Sequence, residues 1–136
     1  MTAAQQNRFT QTRDASGNLL TVIDSSTGLE WLAAPLQERM PQRDALAACA
    51  ALDYAGHTDW ALPSRPQLES LIDLKRYVPA IDTDAFPDFP AARFWTSDEC
   101  AWSSASAWGV DFYDGNVSRS HRDGNGFALA VRRAGQ

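Results

Sequence analysis

The stretch from Gly56 to Asp73, GHTDWALPSRPQLESLID, constrains the fold more than any other part of this chain. It holds a tight polar loop, a tryptophan, a strand closed by Pro63 and a capped amphipathic helix. Ser64 is placed to cap the helix, and Gln67 falls three residues on, the spacing of a capping box. Pro66 lies in the first turn, where a missing N–H leaves no hydrogen bond unmade. Leu68, Leu71 and Ile72 recur at three- and four-residue intervals and make one apolar stripe. Nearly every residue here has a structural task and almost none a chemical one.

The flanking segments separate by period. Arg8–Thr12, Leu19–Asp24 and Leu29–Ala33 read as short strands divided by the turn-rich stretches 14–18 and 25–28. Residues 41–54 switch to helical spacing, with Ala45, Ala48, Cys49 and Leu52 on one face and Gly56 as the closing residue. Residues 77–93 carry Pro79, Pro87 and Pro90 without a period and read as an irregular crossing pinned by Phe86 and Phe89. Phe94–Ser97, Ala107–Tyr113, Asn116–Ser120 and Phe127–Arg133 read as strands again, with Asp114-Gly115 marking a hairpin. Trp108, Val110 and Phe112 alternate with Gly109, Asp111 and Tyr113, which predicts one buried and one exposed face. Strands, two helices, a long crossing and more strands make an α+β layout. A chain of 136 residues is expected to form a single domain, with 1–7 as a flexible N-terminus.

Composition narrows the function classes. A net charge of −5, with Lys75 the sole lysine, argues against direct binding of nucleic acid or an anionic membrane. The first ten residues have neither a basic nor an apolar region of a secretory signal, and no run reaches membrane-span length. A cytoplasmic location is expected, or a virion after folding in the cytoplasm. Cys49 reads as a small buried hydrophobe in a helix and Cys100 as part of a loop, and their pairing stays open.

The chain carries in order Thr27-Gly28-Leu29-Glu30-Trp31, then Asp59-Trp60-Ala61-Leu62-Pro63, and Gln67-Leu68 at a helix start. Trp95-Thr96-Ser97 and the hairpin from Trp108 to Gly115 follow. These blocks, in this order, resemble the family of domains of unknown function that includes the C-terminal domain of Lcl, a collagen-like bacterial adhesin. The resemblance implies a C-type-lectin-like fold in which both termini share one sheet, two helices pack beside it and irregular loops carry ligand contacts. Two positions depart from the pattern. The family's arginine before Leu-Pro is Ala61 here, and the position that would hold the disulfide partner of Cys49 is Ala130. The missing bridge implies a version of the fold suited to a reducing compartment.

No cofactor, metal or catalytic constellation is expected. Calcium needs six to eight oxygens from a charged loop; Asp82-Thr83-Asp84 begins like one, but Phe86 and Pro87 interrupt it. Two histidines and two cysteines have no zinc spacing. No nucleophile elbow or phosphate-binding glycine loop appears, and Asp123-Gly124-Asn125-Gly126 reads as a turn. The related formylglycine-generating enzymes depend on a cysteine pair that has no counterpart here.

What remains is a binding face. Segments 97–107 and 118–126 are polar, read as loops and flank the Trp108–Tyr113 hairpin. Asp98, Glu99, Trp102, Asp111, Tyr113, Arg119, His121, Arg122, Asp123 and Asn125 are the candidate contact residues, because an aromatic among small polar neighbours suits recognition. Taken singly, each reads equally well as a contact residue or as ordinary structure, with Trp102 in the core and the charges solvated, but the surface as a whole favours contact. The leading expectation is a non-enzymatic module that binds a protein partner through these loops. Two alternatives stand beside it. One is an acidic, phage-type inhibitor that uses Asp82, Asp84, Asp88, Asp98 and Glu99 against a basic nucleic-acid-handling complex. The other is a glycan-binding adhesin or tail component.

Overall fold

Turn chemistry sets the first three strands. The computed structural model describes residues 8–135, so the expectation for residues 1–7 lies outside the described residues. β1 (Phe9–Arg13) turns into β2 (Leu19–Asp24) where the Asp14 carboxylate accepts the Ser16 and Asn18 amides and Gly17 takes φ +86°. The Asp24 carboxylate accepts the Ser26 amide in the next turn, which leads to β3 (Leu29–Leu32). β7 (Val131–Arg133) then pairs with β3, giving an antiparallel sheet in the order β1-β2-β3-β7. First and last strands thus share one sheet, the arrangement the resemblance implies.

Two helices follow β3. α1 (Gln42–Ala50) starts after Pro41 with no side-chain cap. It stops four residues short of the expected end, and Gly56 does not close it. Ala55 and Gly56 both take positive φ, +55° and +81°, between Tyr54 and His57, which exchange two backbone hydrogen bonds. That geometry is a two-residue tight turn of its own. α2 (Arg65–Glu69) carries the full capping box: the Gln67 amide donates to Ser64 Oγ, and the Ser64 amide donates to Gln67 Oε1. Leu68 and Leu71 are buried as the stripe predicts, although the helix itself ends at Glu69.

The crossing from 73 to 92 is irregular and anchored by aromatics. Phe86 and Phe89 are buried, and Phe89 stacks on Phe94 at 4.8 Å while Phe112 meets both edge-on at 5.2 and 5.3 Å. Burying each such side chain contributes about 1.5–3 kcal/mol. β4 (Arg93–Cys100), β5 (Ser103–Asp111) and β6 (Asn116–His121) form a second antiparallel sheet in that order. One continuous core draws Val22 and Trp31 from the first sheet, Ala45 and Cys49 from α1, Leu68 from α2, and Phe94, Trp95 and Val110 from the second sheet. The fold is α+β.

The late strands differ from expectation. β4 runs on to Cys100, so Cys100 is a buried strand residue, and β5 begins at Ser103. Segment 97–107 is therefore the end of a hairpin, with Ala101 and Trp102 at its turn. Segment 118–126 is strand as far as His121 and turn only afterwards. The strand expected over Phe127–Arg133 is regular only from Val131. Phe127 instead bridges Phe94, its amide donating to the Arg93 carbonyl. Val110 and Phe112 are buried as the alternation predicts, whereas Trp108 is half-buried and Gly109 buried. A Cβ on Gly109 would sit 2.9 Å from the Phe94 carbonyl oxygen, so close strand approach rather than outward facing sets that residue.

An ionic network, buried at Glu30 and Arg132, ties the first sheet to the exposed Asp59 in the loop before α2. The Arg132 guanidinium donates to Glu30 Oε1 and to Asp59 Oδ1, each at 2.6 Å, and Thr21 Oγ1 donates to Glu30 Oε2 at 2.6 Å. The bond from Arg132 holds the Asp59 carboxyl below the usual range, and the same bond makes Arg132 harder to deprotonate. Buried charges of this kind persist because each is paired and hydrogen-bonded.

Candidate functional site

The two-residue turn at Ala101–Trp102 leaves the Trp102 indole 68% exposed, the most open tryptophan among the described residues. Tryptophan is highly buried on average, so an indole this open departs from the type's usual setting. Trp102 is nevertheless held in place. Its ring meets Trp108 edge-on at 6.0 Å, and the Arg119 guanidinium lies 5.5 Å from its centroid. On the other side Arg65 lies 4.3 Å over the Trp108 ring while its Nε donates to Glu69 Oε1 at 2.6 Å. The result is a ladder of guanidinium, indole, indole and guanidinium across the sheet face, each cation–π step worth about 0.5–1 kcal/mol when exposed.

Sequence reasoning named Trp102 and Arg119 but missed Arg65. That residue sits at the first position of α2, some forty residues before the ring it covers, and carries no local signal for the contact.

The other candidates fall into two further places. Glu99, Arg122, His121 and Asp123 lie beside the ladder. Arg122 donates to Gln42 Oε1 at 2.9 Å and pairs with Glu99 at 3.0 Å, and the buried Gln42 in turn donates to the Thr96 carbonyl. Arg122 therefore braces the hairpin against α1 as well as presenting charge. Asp123 pairs with Arg43 at 2.7 Å, both exposed, and its amide donates to His121 Nδ1. Asp98 sits in a bulge of β4, where its amide donates to Thr96 Oγ1. Asn125 is exposed in the turn after β6.

Asp111 and Tyr113 lie at the opposite end of β5. Eight residues separate Ser103 from Asp111, and at about 3.3 Å per strand residue the two ends are about 26 Å apart. The ten residues do not form one surface. Asp111 accepts the Tyr113 amide, and Tyr113 is 56% exposed beside a loop that also exposes Leu74 and Tyr77. The Tyr113 carbonyl accepts the Val78 amide at 2.7 Å, which joins that loop to the turn.

The acidic residues of the alternative reading are also divided. Asp82 Oδ1 accepts the Asp84 amide and lies 3.8 Å from Arg76, and Glu99 belongs to Arg122. Cys49 and Cys100 are both free and buried, and burial pushes the Cys49 thiol up to about 12. Among the described residues no three His, Cys, Asp or Glu side chains converge as a metal-ligand set, and no helix is long and apolar enough to cross a membrane.

Comparison with known proteins agrees with the ordering of the motifs. The family model of the Lcl C-terminal domain matches residues 20–132, which takes in β2 through the middle of β7. No curated protein matches the chain.

Proposed function

The chain belongs to the Lcl C-terminal domain family, and from that premise we propose that it is a non-catalytic recognition module that grips a protein partner with the hairpin end of its second sheet. The observation that carries this reading is the exposed Trp102, seated on Trp108 and flanked by Arg119. Tryptophan and arginine at a rigid, protruding position are the residue types that dominate protein interfaces, since each offers large contact area for few rotatable bonds. Arg122, Glu99 and Gln42 hold the hairpin against α1, so little order has to be created on binding.

The inhibitor reading is less well supported. An acidic face needs carboxylates that converge, and here Asp82 lies near Arg76 while Glu99 is paired with Arg122. The test is capture from lysate by wild-type protein beside Trp102→Ala, with circular dichroism as the control for folding. Loss of a salt-resistant partner in the variant is expected. Capture unchanged by Trp102→Ala defeats the reading, and capture that vanishes in moderate salt for both proteins favours the inhibitor instead.

A further inference from the structure

Each of the two sheets has two edges, and three of these four are covered or irregular. β7 exchanges two backbone hydrogen bonds with Ala61, both 2.9 Å. β4 is met by Phe127 and by Pro63, whose carbonyl accepts the Ser97 amide. β1 carries a register break between Thr12 and Arg13, and Gln11 reaches from it to the Ala85 carbonyl. β6 is different: its six residues pair with β5 in unbroken register and, among the described residues, with no other strand.

The pairing pattern shows which groups β6 leaves open. The Arg122 amide donates to the Ala105 carbonyl, and with the register this turns Ser118 and Ser120 toward β5. Val117 and Arg119 therefore direct their N–H and C=O groups away from the sheet. Proteins usually blunt such an edge with proline, charged side chains or a bulge; Asn116–His121 has no proline and no bulge, and Arg119 is its one permanently charged side chain.

We infer that β6 accepts an extended acidic segment of a protein partner as a fourth strand of this sheet. The inference rests on the recognition-module reading and names how the partner is held. Charge selects the occupant. The strand carries Arg119 and His121 and no carboxylate, on a chain whose net charge is −5. Arg119 has its guanidinium over Trp102 and forms no ion pair among the described residues, so an incoming strand would place a carboxylate beside it on the Trp102 face. A second copy of the chain fits worse. A two-fold axis at Arg119 would set Arg119 against Arg119, and like charges directly opposite are destabilising; an axis at Ser118 would set Arg119 against Val117 and leave it with no carboxylate opposite.

The test uses the full chain and a synthetic peptide, acetyl-Thr-Glu-Val-Glu-Val-Glu-Thr-amide, with a lysine counterpart and a version N-methylated at alternate backbone amides. Amide hydrogen exchange and fluorescence anisotropy are read at low salt. The glutamate peptide should bind about fivefold or more tighter than the lysine peptide, and Arg119→Glu should invert that order. Binding should slow exchange at Val117 and Arg119 by about tenfold or more, with Ser118 and Ser120 little changed. N-methylation on the edge-facing side should abolish binding. Three results overturn the inference: no binding at millimolar peptide, equal binding of the N-methylated peptide, or binding that leaves the Val117 and Arg119 amides unprotected. A free chain that sediments as a dimer with those two amides already protected overturns it in favour of a second copy. The Trp102→Ala capture experiment decides the module reading separately, since strand addition can fail while Trp102-dependent capture survives.

Discussion

In the four-stranded sheet Glu30 and Arg132 are each about 5% exposed and bonded to one another, while in the three-stranded sheet Arg119 stands in solvent over an open tryptophan. Both regions contain arginines, aromatics and short strands. They differ in where the chain directs the charged end of each side chain. Around Glu30 the ionic groups converge inward and specify which segments meet, because a misplaced partner would leave a bare charge in the core. Around Trp102 the groups point outward and specify little about the fold. One sheet uses charge to define itself, and the other leaves it available.

The sharpest way to break this comparison is Arg132→Ala. It strands Glu30 in the core and should lower stability by about 3–5 kcal/mol, read by urea denaturation. A loss under 1 kcal/mol would mean that the network is decoration. Arg8→Ala comes next, because Arg8 donates two hydrogen bonds to the fully buried Asp24 carboxylate at 2.9 and 2.8 Å. Hydrogen bonds to charged groups contribute about 1.5–3 kcal/mol.

This second variant also carries a pH signature. Burial pushes the Asp24 carboxyl up, but the bonds from Arg8 and Ser26 outweigh it and leave it below its ordinary value. A depressed carboxyl adds stability above the unfolded-state value near pH 4, and that stability is lost as pH falls through the folded-state value. The gap between wild type and Arg8→Ala should therefore close in acid. Denaturation series at pH 7 and at pH 3 check it.

Smaller effects sharpen the contrast. Ser64→Ala removes the cap on α2 and should lower stability by about 1 kcal/mol. Because α2 carries Arg65, the same variant should weaken the Arg65–Trp108 contact, visible as a shift in tryptophan emission. Trp102→Ala should change stability least, by about 0.5–1 kcal/mol, since the indole is mostly exposed and loses only its contacts with Arg119 and Trp108. A large loss there would move Trp102 from the open region to the self-defining one.

Local signals in the sequence were dependable where one residue sets one bond. The Ser64–Gln67 box, the Asp14 and Asp24 turns and the burial of Phe86 and Phe89 all follow from neighbours within a few positions. The hairpin ending at Trp102 was not legible. Its turn holds Ala101 and Trp102, neither of which takes positive φ, so it lacks the glycine and asparagine that mark a hairpin, and its serines imitate a loop. The Glu30–Arg132 pair spans 102 residues and has no period or spacing to reveal it. The ten candidate residues were grouped by composition, which cannot see that β5 runs from the Trp102 turn at one end to Asp111 at the other.

The register across the first sheet has a practical outcome. Phe9 lies opposite Asp24, Asp24 opposite Leu29, and Leu29 opposite Arg133, so the first residue of β1 and the last of β7 fall on one line. Three inter-strand spacings separate them by about 14 Å, a gap that about four extended residues bridge. The domain can therefore be spliced as a cassette into a surface loop of another protein, or joined head to tail and reopened elsewhere, without stretching either strand.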